Sequence, residues 1–236
     1  MIVLAIETST PQSSVAFGNE SEILAQVSIT GRTHQESVFP ALEQLRSWAG
    51  VELDQLGGIA VGVGPGLFTG LRVGIQAGKS LAQVLGVPIV GVTSLDALAF
   101  SVRHTDRAIC AVIDGRRGEV FHALYRPVPG GVVRQTEPAV AAPDHLIADL
   151  EALGEEVLLI GDGAILYRTE IEEALGAEVD LASDLRQRPQ AAALVELAVP
   201  RFLREEHDRL TDVVPLYLRR SDAEIAWDQR ARGATS

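Results

Sequence analysis

An α/β protein built from two related halves is what this 236-residue sequence predicts, because antiparallel strands followed by alternating helices and strands occur twice along it. The first half opens on three strand-length stretches, residues 1–7, 13–18 and 23–29, which alternate or run apolar between polar turns at 8–12 and 19–22. The second half opens the same way, with residues 107–113 (RAICAVI) and 119–126 (EVFHALYR) flanking a turn at 114–118. Between these openings, an apolar strand at 57–63 leads through a glycine-rich loop into a helix at 71–86.

Each element has a local reason. Thr33 with Glu36 has the form of a capping box, and Val38, Leu42, Leu45 and Ala49 follow at helical spacing, which predicts a helix over 34–48. Pro40 inside it predicts a kink or a start delayed to that point. After the 71–86 helix come a strand at 88–92 and a helix at 94–102. The second half adds helices at 143–153, 163–175 and 188–206 and a strand at 156–160. Each half therefore reads βββαβαβα, with the second trimmed. The division predicted is 1–103, 104–220 with its last helix packing back on the first part, and a partly disordered tail over 221–236.

Composition narrows the function. Twenty basic against 32 acidic residues give a net charge of −12, and Lys79 is the sole lysine, so free-standing binding to a polyphosphate chain is opposed. No apolar run reaches a membrane span and residues 1–9 lack a signal-peptide pattern, so a cytoplasmic location is expected. The single Cys110 sits in an apolar strand, as core packing. His34, His104, His122, His145 and His207 show no metal-ligand spacing, and no nucleophile elbow is present.

Residues 62–74, GVGPGLFTGLRVG, place five glycines and one proline between strand and helix. Such a loop suits either a phosphate cradle at a helix N-terminus or a tight turn. Gly78-Lys79-Ser80 resembles the end of a P-loop, but it falls inside a helix that withholds its N–H groups, and Lys79 is expected in solvent. Gly74, Gly78 and Ala82 recur every four residues, a smooth stripe at which something approaches closely. The options are the sheet beneath or another subunit, with Val73, Ala77, Leu81 and Val84 then covering the sheet. Glu7, Ser9 and Thr10 in the first turn, Asp114 in the corresponding turn, and Gly161 and Gly163 at a strand-to-helix junction form a candidate nucleotide-binding set. Three such turns around one cleft are the layout of an actin-like ATPase, although each separately is an ordinary turn sequence.

IETST followed by SSVAF, then RTHQESVFPAL, the glycine loop, PIVGVTSLDALA, IDGRRGEVFHALY and the late PLYLR resemble the TsaB family, formerly YeaZ, over residues 1–219. The resemblance implies the two-domain actin, Hsp70 and sugar-kinase (ASKHA) fold. It also implies a part in making threonylcarbamoyladenosine beside the tRNA anticodon. The related TsaD family carries HxEGH where this chain has Ser94-Leu95-Asp96-Ala97-Leu98, which places two metal-ligand histidines on Ser94 and Leu98. A noncatalytic partner without catalytic residues, metal or cofactor of its own is therefore implied, with ATP or ADP only at the interface of a complex. The implied partners are a TsaD-type transferase and a TsaE-type ATPase, a second copy when the chain is alone, and tRNA only through the complex. His34, Phe39, Gly70, Arg72, Gly74, Gly78 and Ala82 are the implied interface. Glu7 stands where many relatives have aspartate, and the ATP-grasping residues of kinases are not recognisable. A small-molecule kinase of the same fold is the alternative, and a metallopeptidase relative a more remote one.

Overall fold

The computed structural model describes residues 1–219. In the first half, β1 (Ile2–Glu7), β2 (Gln12–Gly18), β3 (Ile23–Thr30), α1 (His34–Ala49), β4 (Leu56–Gly64), α2 (Phe68–Leu85), β5 (Ile89–Thr93) and α3 (Ser94–Ser101) follow in order. The second half contains β6 (Ala108–Arg116), β7 (Glu119–Val128), β8 (Gly131–Arg134), β9 (Ala139–Ala141), α4 (Pro143–Leu153), β10 (Val157–Ile160), α5 (Asp162–Leu166), α6 (Arg168–Leu175), β11 (Val179–Leu181) and α7 (Ala191–Leu203).

The first sheet has the order β3-β2-β1-β4-β5, and the second, counted from its other edge, is β8-β7-β6-β10-β11. These are one topology used twice. The opening strands pair antiparallel, and the later strands join parallel through helices. Both faces are covered at the central strands β1 and β4, which read as apolar runs, whereas the edge strand β3 alternates between half-buried and exposed positions. Leu4 and Ile6 of β1 point to α1 and α2, while Val3 and Ala5 point to α7. Ala5, Ala16 and Ala60 keep that second face shallow, which lets Leu194 and Val195 of α7 pack closely.

The second core divides likewise. Leu95 and Leu98 of α3 meet Ile109, Ile113, Phe121 and Tyr125 on one face, and Cys110, Val112 and Leu159 meet α4 and α6 on the other. Burial pushes the Cys110 thiol up to about 12, so it is an inert filler. Tyr125, fully buried, donates 2.9 Å to Asp96 of α3, whose carboxylate also takes Nη2 of Arg134 at 2.9 Å. The two halves are thus tied by a part-buried polar contact.

The helix at α1 runs through Pro40 without interruption. Pro40 lies in the second turn, past most of the unpaired N–H groups, yet its neighbours continue the ladder. α2 begins at Phe68, three residues before the sequence expectation, since Leu67 serves as an extended N-cap and Gly70 is already helical. The expected 163–175 helix breaks at Tyr167 (φ −110°, ψ 24°), which ends α5 and begins α6. The expected 188–206 helix shrinks to Ala191–Leu203, since Pro189 holds the residue before it extended. Strands β8, β9 and β11 are four, three and three residues long, too short for a periodicity to reveal. The expected tail at 221–236 lies outside the described residues.

The small-residue stripe of α2 faces its own sheet. A Cβ on Gly78 would stand 2.2 Å from Val61 Cγ1, and one on Gly74 would stand 2.2 Å from Thr8 Oγ1. Ala82 is buried in the same core, and Ala77 joins it, whereas Val84 is 82% exposed. The expectation that this stripe meets another subunit is corrected on that ground: α2 needs no side chain there because β1 and β4 occupy the space. Gly78→Leu should then destabilise the fold by at least about 1–3 kcal/mol through overpacking, outweighing the ~1 kcal/mol gained in helix propensity. Urea unfolding of the variant checks this, and unchanged stability would contradict the close approach.

Candidate functional site

Only Gly64 of the five glycines in the 62–74 loop has a left-handed backbone, at φ +95°. The others are there for proximity. A Cβ at Gly62 would meet Glu7 Oε2 at 2.1 Å, at Gly66 the Ser9 carbonyl oxygen at 2.2 Å, and at Gly70 the Thr8 carbonyl oxygen at 2.1 Å. Thr8 Oγ1 donates 2.8 Å to the Gly70 carbonyl, and the Leu67 N–H donates 2.7 Å to the Ser9 carbonyl. The space that a phosphate cradle would offer is filled by the β1–β2 turn.

That turn is buried. Glu7 is 1% exposed, with Ser9 N–H donating 2.6 Å to Oε1 and Ser94 Oγ donating 3.0 Å to Oε2. Burial raises its pKa, an effect that these hydrogen bonds only partly oppose. Ser9 and Thr10 are equally enclosed, and Ser9 Oγ has no partner among the described residues. The candidate nucleotide residues of the first half therefore support α2 from beneath. Gly161 (φ +126°) and Gly163 play the same part in the second half, since Cβ atoms there would stand 1.9 Å from the Val112 carbonyl oxygen and 2.9 Å from the Ile113 carbonyl carbon.

Asp114 alone of the six faces an open cleft. Its N–H donates 3.0 Å to Asp162 Oδ1, and its carboxylate accepts from the Arg116 N–H at 2.8 Å and pairs with the Arg116 guanidinium at 3.0 Å. Arg116 and Arg117, at the β6–β7 tip, both hold positive φ (64° and 58°). They share a cavity of ≈ 390 Å³ with the loop at Gly66–Thr69 and with Arg219, which is paired to Glu119 at 2.5 Å. The three arginines were absent from the residues singled out by sequence, because a basic cluster drawn from residues 116, 117 and 219 is assembled only by folding.

A second concavity, ≈ 910 Å³, lies between α1, α2 and the chain at 213–217. Phe39, 51% exposed, projects from α1 on one side of it. On the other, the Arg72 guanidinium lies 3.8 Å above the Phe68 ring, Phe68 stacks on Tyr217 at 5.0 Å, and Arg72 Nε donates 3.1 Å to the Tyr217 hydroxyl. Lys79, expected in solvent, instead donates 3.2 Å to the Val213 carbonyl, and the Leu216 N–H reaches the Val63 carbonyl at 2.8 Å. His34 stands at the start of α1, its Nδ1 2.7 Å from Ser13 Oγ, with burial lowering its pKa. Of the seven interface residues expected, Phe39 and Arg72 line this groove, while Gly70, Gly74, Gly78 and Ala82 form the sheet-facing side of α2 and His34 stands against the Gly70 end of that helix.

Ser94 and Leu98 are fully buried in α3. Among the described residues no three His, Cys, Asp or Glu side chains gather as a metal site, and no helix is long and apolar enough to cross a membrane.

Comparison with known proteins places the chain in company. The family described as TsaD, tRNA N6-adenosine threonylcarbamoyltransferase, matches residues 22–227. The tRNA threonylcarbamoyladenosine biosynthesis protein TsaB of Bacillus subtilis is 32% identical, covering 96% of this chain and 98% of its own. The Escherichia coli protein of that name is 30% identical over 96% and 97%. The solved structure of YeaZ from Pseudomonas aeruginosa superposes with a TM-score of 0.78 at 28% identity, covering 92% of this chain and 99% of that one.

A buried Glu7 whose pKa is raised makes folding sensitive to pH. A group that holds its proton more tightly when folded contributes stability present below its ordinary value of 4.5, and that stability is lost as pH rises through the raised value. Glu7→Gln, which keeps one acceptor for Ser9 N–H and a donor toward Ser94, should be more stable than the parent at neutral pH. The difference between the two should shrink toward pH 4. Chemical denaturation across pH checks it, and a difference independent of pH would count against a protonated Glu7.

Proposed function

Because the chain belongs to the TsaB family, with the ASKHA fold, we propose that it is a noncatalytic subunit in threonylcarbamoyladenosine formation, pairing with a TsaD-type transferase through the α1–α2 groove and joined by a TsaE-type ATPase. The observation that carries this reading is the fate of Ser94 and Leu98. The family resemblance sets the transferase's metal-binding histidines at these two positions, and here Leu98 is core packing and Ser94 is spent on Glu7. Neither side chain is free to hold a metal. The groove supports the partner role, since it exposes Phe39 beside the Phe68–Arg72–Tyr217 stack, the aromatic and arginine composition on which interface energy concentrates.

A nucleotide belongs, in this reading, to the assembled complex. The cavity bearing Arg116, Arg117 and Arg219 offers positive charge at the N-terminal end of α2, whereas the glycine loop itself is filled. The role in tRNA modification is then carried by the complex, because a chain of net charge −12 gives no continuous basic track.

Co-purification with a TsaD-type transferase tests the pairing. Phe39→Asp and Arg72→Glu should each weaken capture by about tenfold or more while leaving the melting temperature near that of the parent, because both side chains lie outside the core. Full capture by both variants would place the partner on another face. The chain alone should show neither threonylcarbamoyl transfer nor a gel shift with tRNA at about 150 mM salt; transfer would favour an enzyme over a subunit, and a shift would contradict tRNA binding only through the complex.

A further inference from the structure

On the α7 side of the first sheet, the face opposite the α1–α2 groove, a cavity of ≈ 290 Å³ lies where the two halves meet. Val92 of β5, Asp96 of α3, and Leu197 and Arg201 of α7 reach it from elements packed with the first sheet. Tyr125 of β7 and Val132 and Arg134 of β8 reach it from the second. It shares no lining residue with the groove or with the cavity at Arg116, so what it holds is independent of how the transferase binds.

The hydrogen-bonding capacity of this lining is uneven. A guanidinium carries five N–H donors and no acceptor. Arg134 places Nε and Nη2 on the Asp96 carboxylate at 3.2 and 2.9 Å, and among the described residues its Nη1 meets only Glu137, at 3.5 Å, whose side chain is 93% exposed. Arg201 gives Nη1 to the Gly91 carbonyl at 2.9 Å and Nη2 to Asp208 at 3.0 Å, and its Nε has no partner among the described residues. Asp96, the one carboxylate in the lining, already receives three hydrogen bonds, because the Tyr125 hydroxyl donates to it at 2.9 Å as well. Donors are therefore in excess, and a group that only accepts is what the cavity can still satisfy.

Charge and shape narrow that group further. Two guanidiniums and one carboxylate leave the lining with a single net positive charge, and Val92, Val132 and Leu197 make the rest of the wall hydrocarbon. A phosphate would press charge against those apolar side chains, and an ammonium would meet two arginines. A carboxylate on a short carbon chain matches both halves of the wall, with charge-assisted bonds at one end and apolar contact at the other. We propose that this cavity binds a small aliphatic monocarboxylate, its oxygens on the uncommitted N–H groups of Arg134 and Arg201 and its chain against Val92, Val132 and Leu197. Since Arg201 stands on α7 against the first sheet and Arg134 on the second sheet, the bound acid also joins the two halves.

Isothermal titration of the full chain with butyrate tests it, beside inorganic phosphate and 2-aminobutyrate, which adds an ammonium to the same carbon chain. Butyrate should bind saturably at one site per chain, and the other two should bind about tenfold more weakly or less. Methyl NMR should place the butyrate-induced shifts at Val92, Val132 and Leu197. Arg201→Met should weaken butyrate binding about tenfold or more. Because Arg201 also holds Gly91 and Asp208, Leu197→Phe serves as the second variant: it narrows the cavity, keeps both arginines, and should lose butyrate with an unchanged circular dichroism spectrum. No saturable butyrate binding, equal binding of phosphate or 2-aminobutyrate, methyl shifts at other positions, or parental affinity in a folded Leu197→Phe would each overturn the proposal.

Discussion

The distance between α2 and the sheet beneath it governs this molecule. At Gly70, Gly74 and Gly78 the helix backbone comes so near β1, β4 and the β1–β2 turn that a single added carbon would overlap Thr8 or Val61. Glycine there costs roughly 1 kcal/mol of helix propensity at each position. The compensation lies in what the close approach fixes: the Thr8–Gly70 hydrogen bond and the direction in which Phe68 and Arg72 emerge. Chain 213–217 then rests on the outer side of α2, held by Lys79 and Val63, and the groove beside Phe39 takes its shape from both.

The same closeness explains why a loop with the look of a phosphate binder is closed. Anion cradles need free N–H groups at the loop, yet here the Leu67 N–H is committed to the Ser9 carbonyl and Gly66 is pressed onto Ser9. Glu7 lies under the loop as a buried acid bonded to Ser9 and Ser94. Positive charge reappears a short way off, at Arg116, Arg117 and Arg219, on elements that meet the loop from the second half.

Much of the architecture was legible in the sequence because it is repetitive and apolar. The hairpin openings, the 57–63 strand and the long helices announce themselves by run length, and the duplicated plan follows from their order. Three kinds of feature were hidden. Strands of three or four residues carry too few positions to show a period. The orientation of the α2 stripe was ambiguous, because a smooth face serves a sheet and a partner equally well, and only the positions of Thr8 and Val61 decide between them. Lys79, the sole lysine, reads as a solvated charge until the chain at 213 returns to accept its proton donor. Phe39 and Arg72 were named through family likeness; periodicity alone would not have separated them from other helix residues.

In many two-lobed α/β proteins the halves swing about a hinge to open and shut the cleft between them. The Tyr125 hydroxyl bonded to Asp96 works against such a swing. Opening would pull the buried phenol from a part-exposed carboxylate and leave the hydroxyl without its partner, at a cost of roughly 1–3 kcal/mol. Arg134 clasps the same carboxylate, and Arg103 ties the end of α3 to Glu196 of α7. Together these contacts oppose a change in the angle between the two sheets.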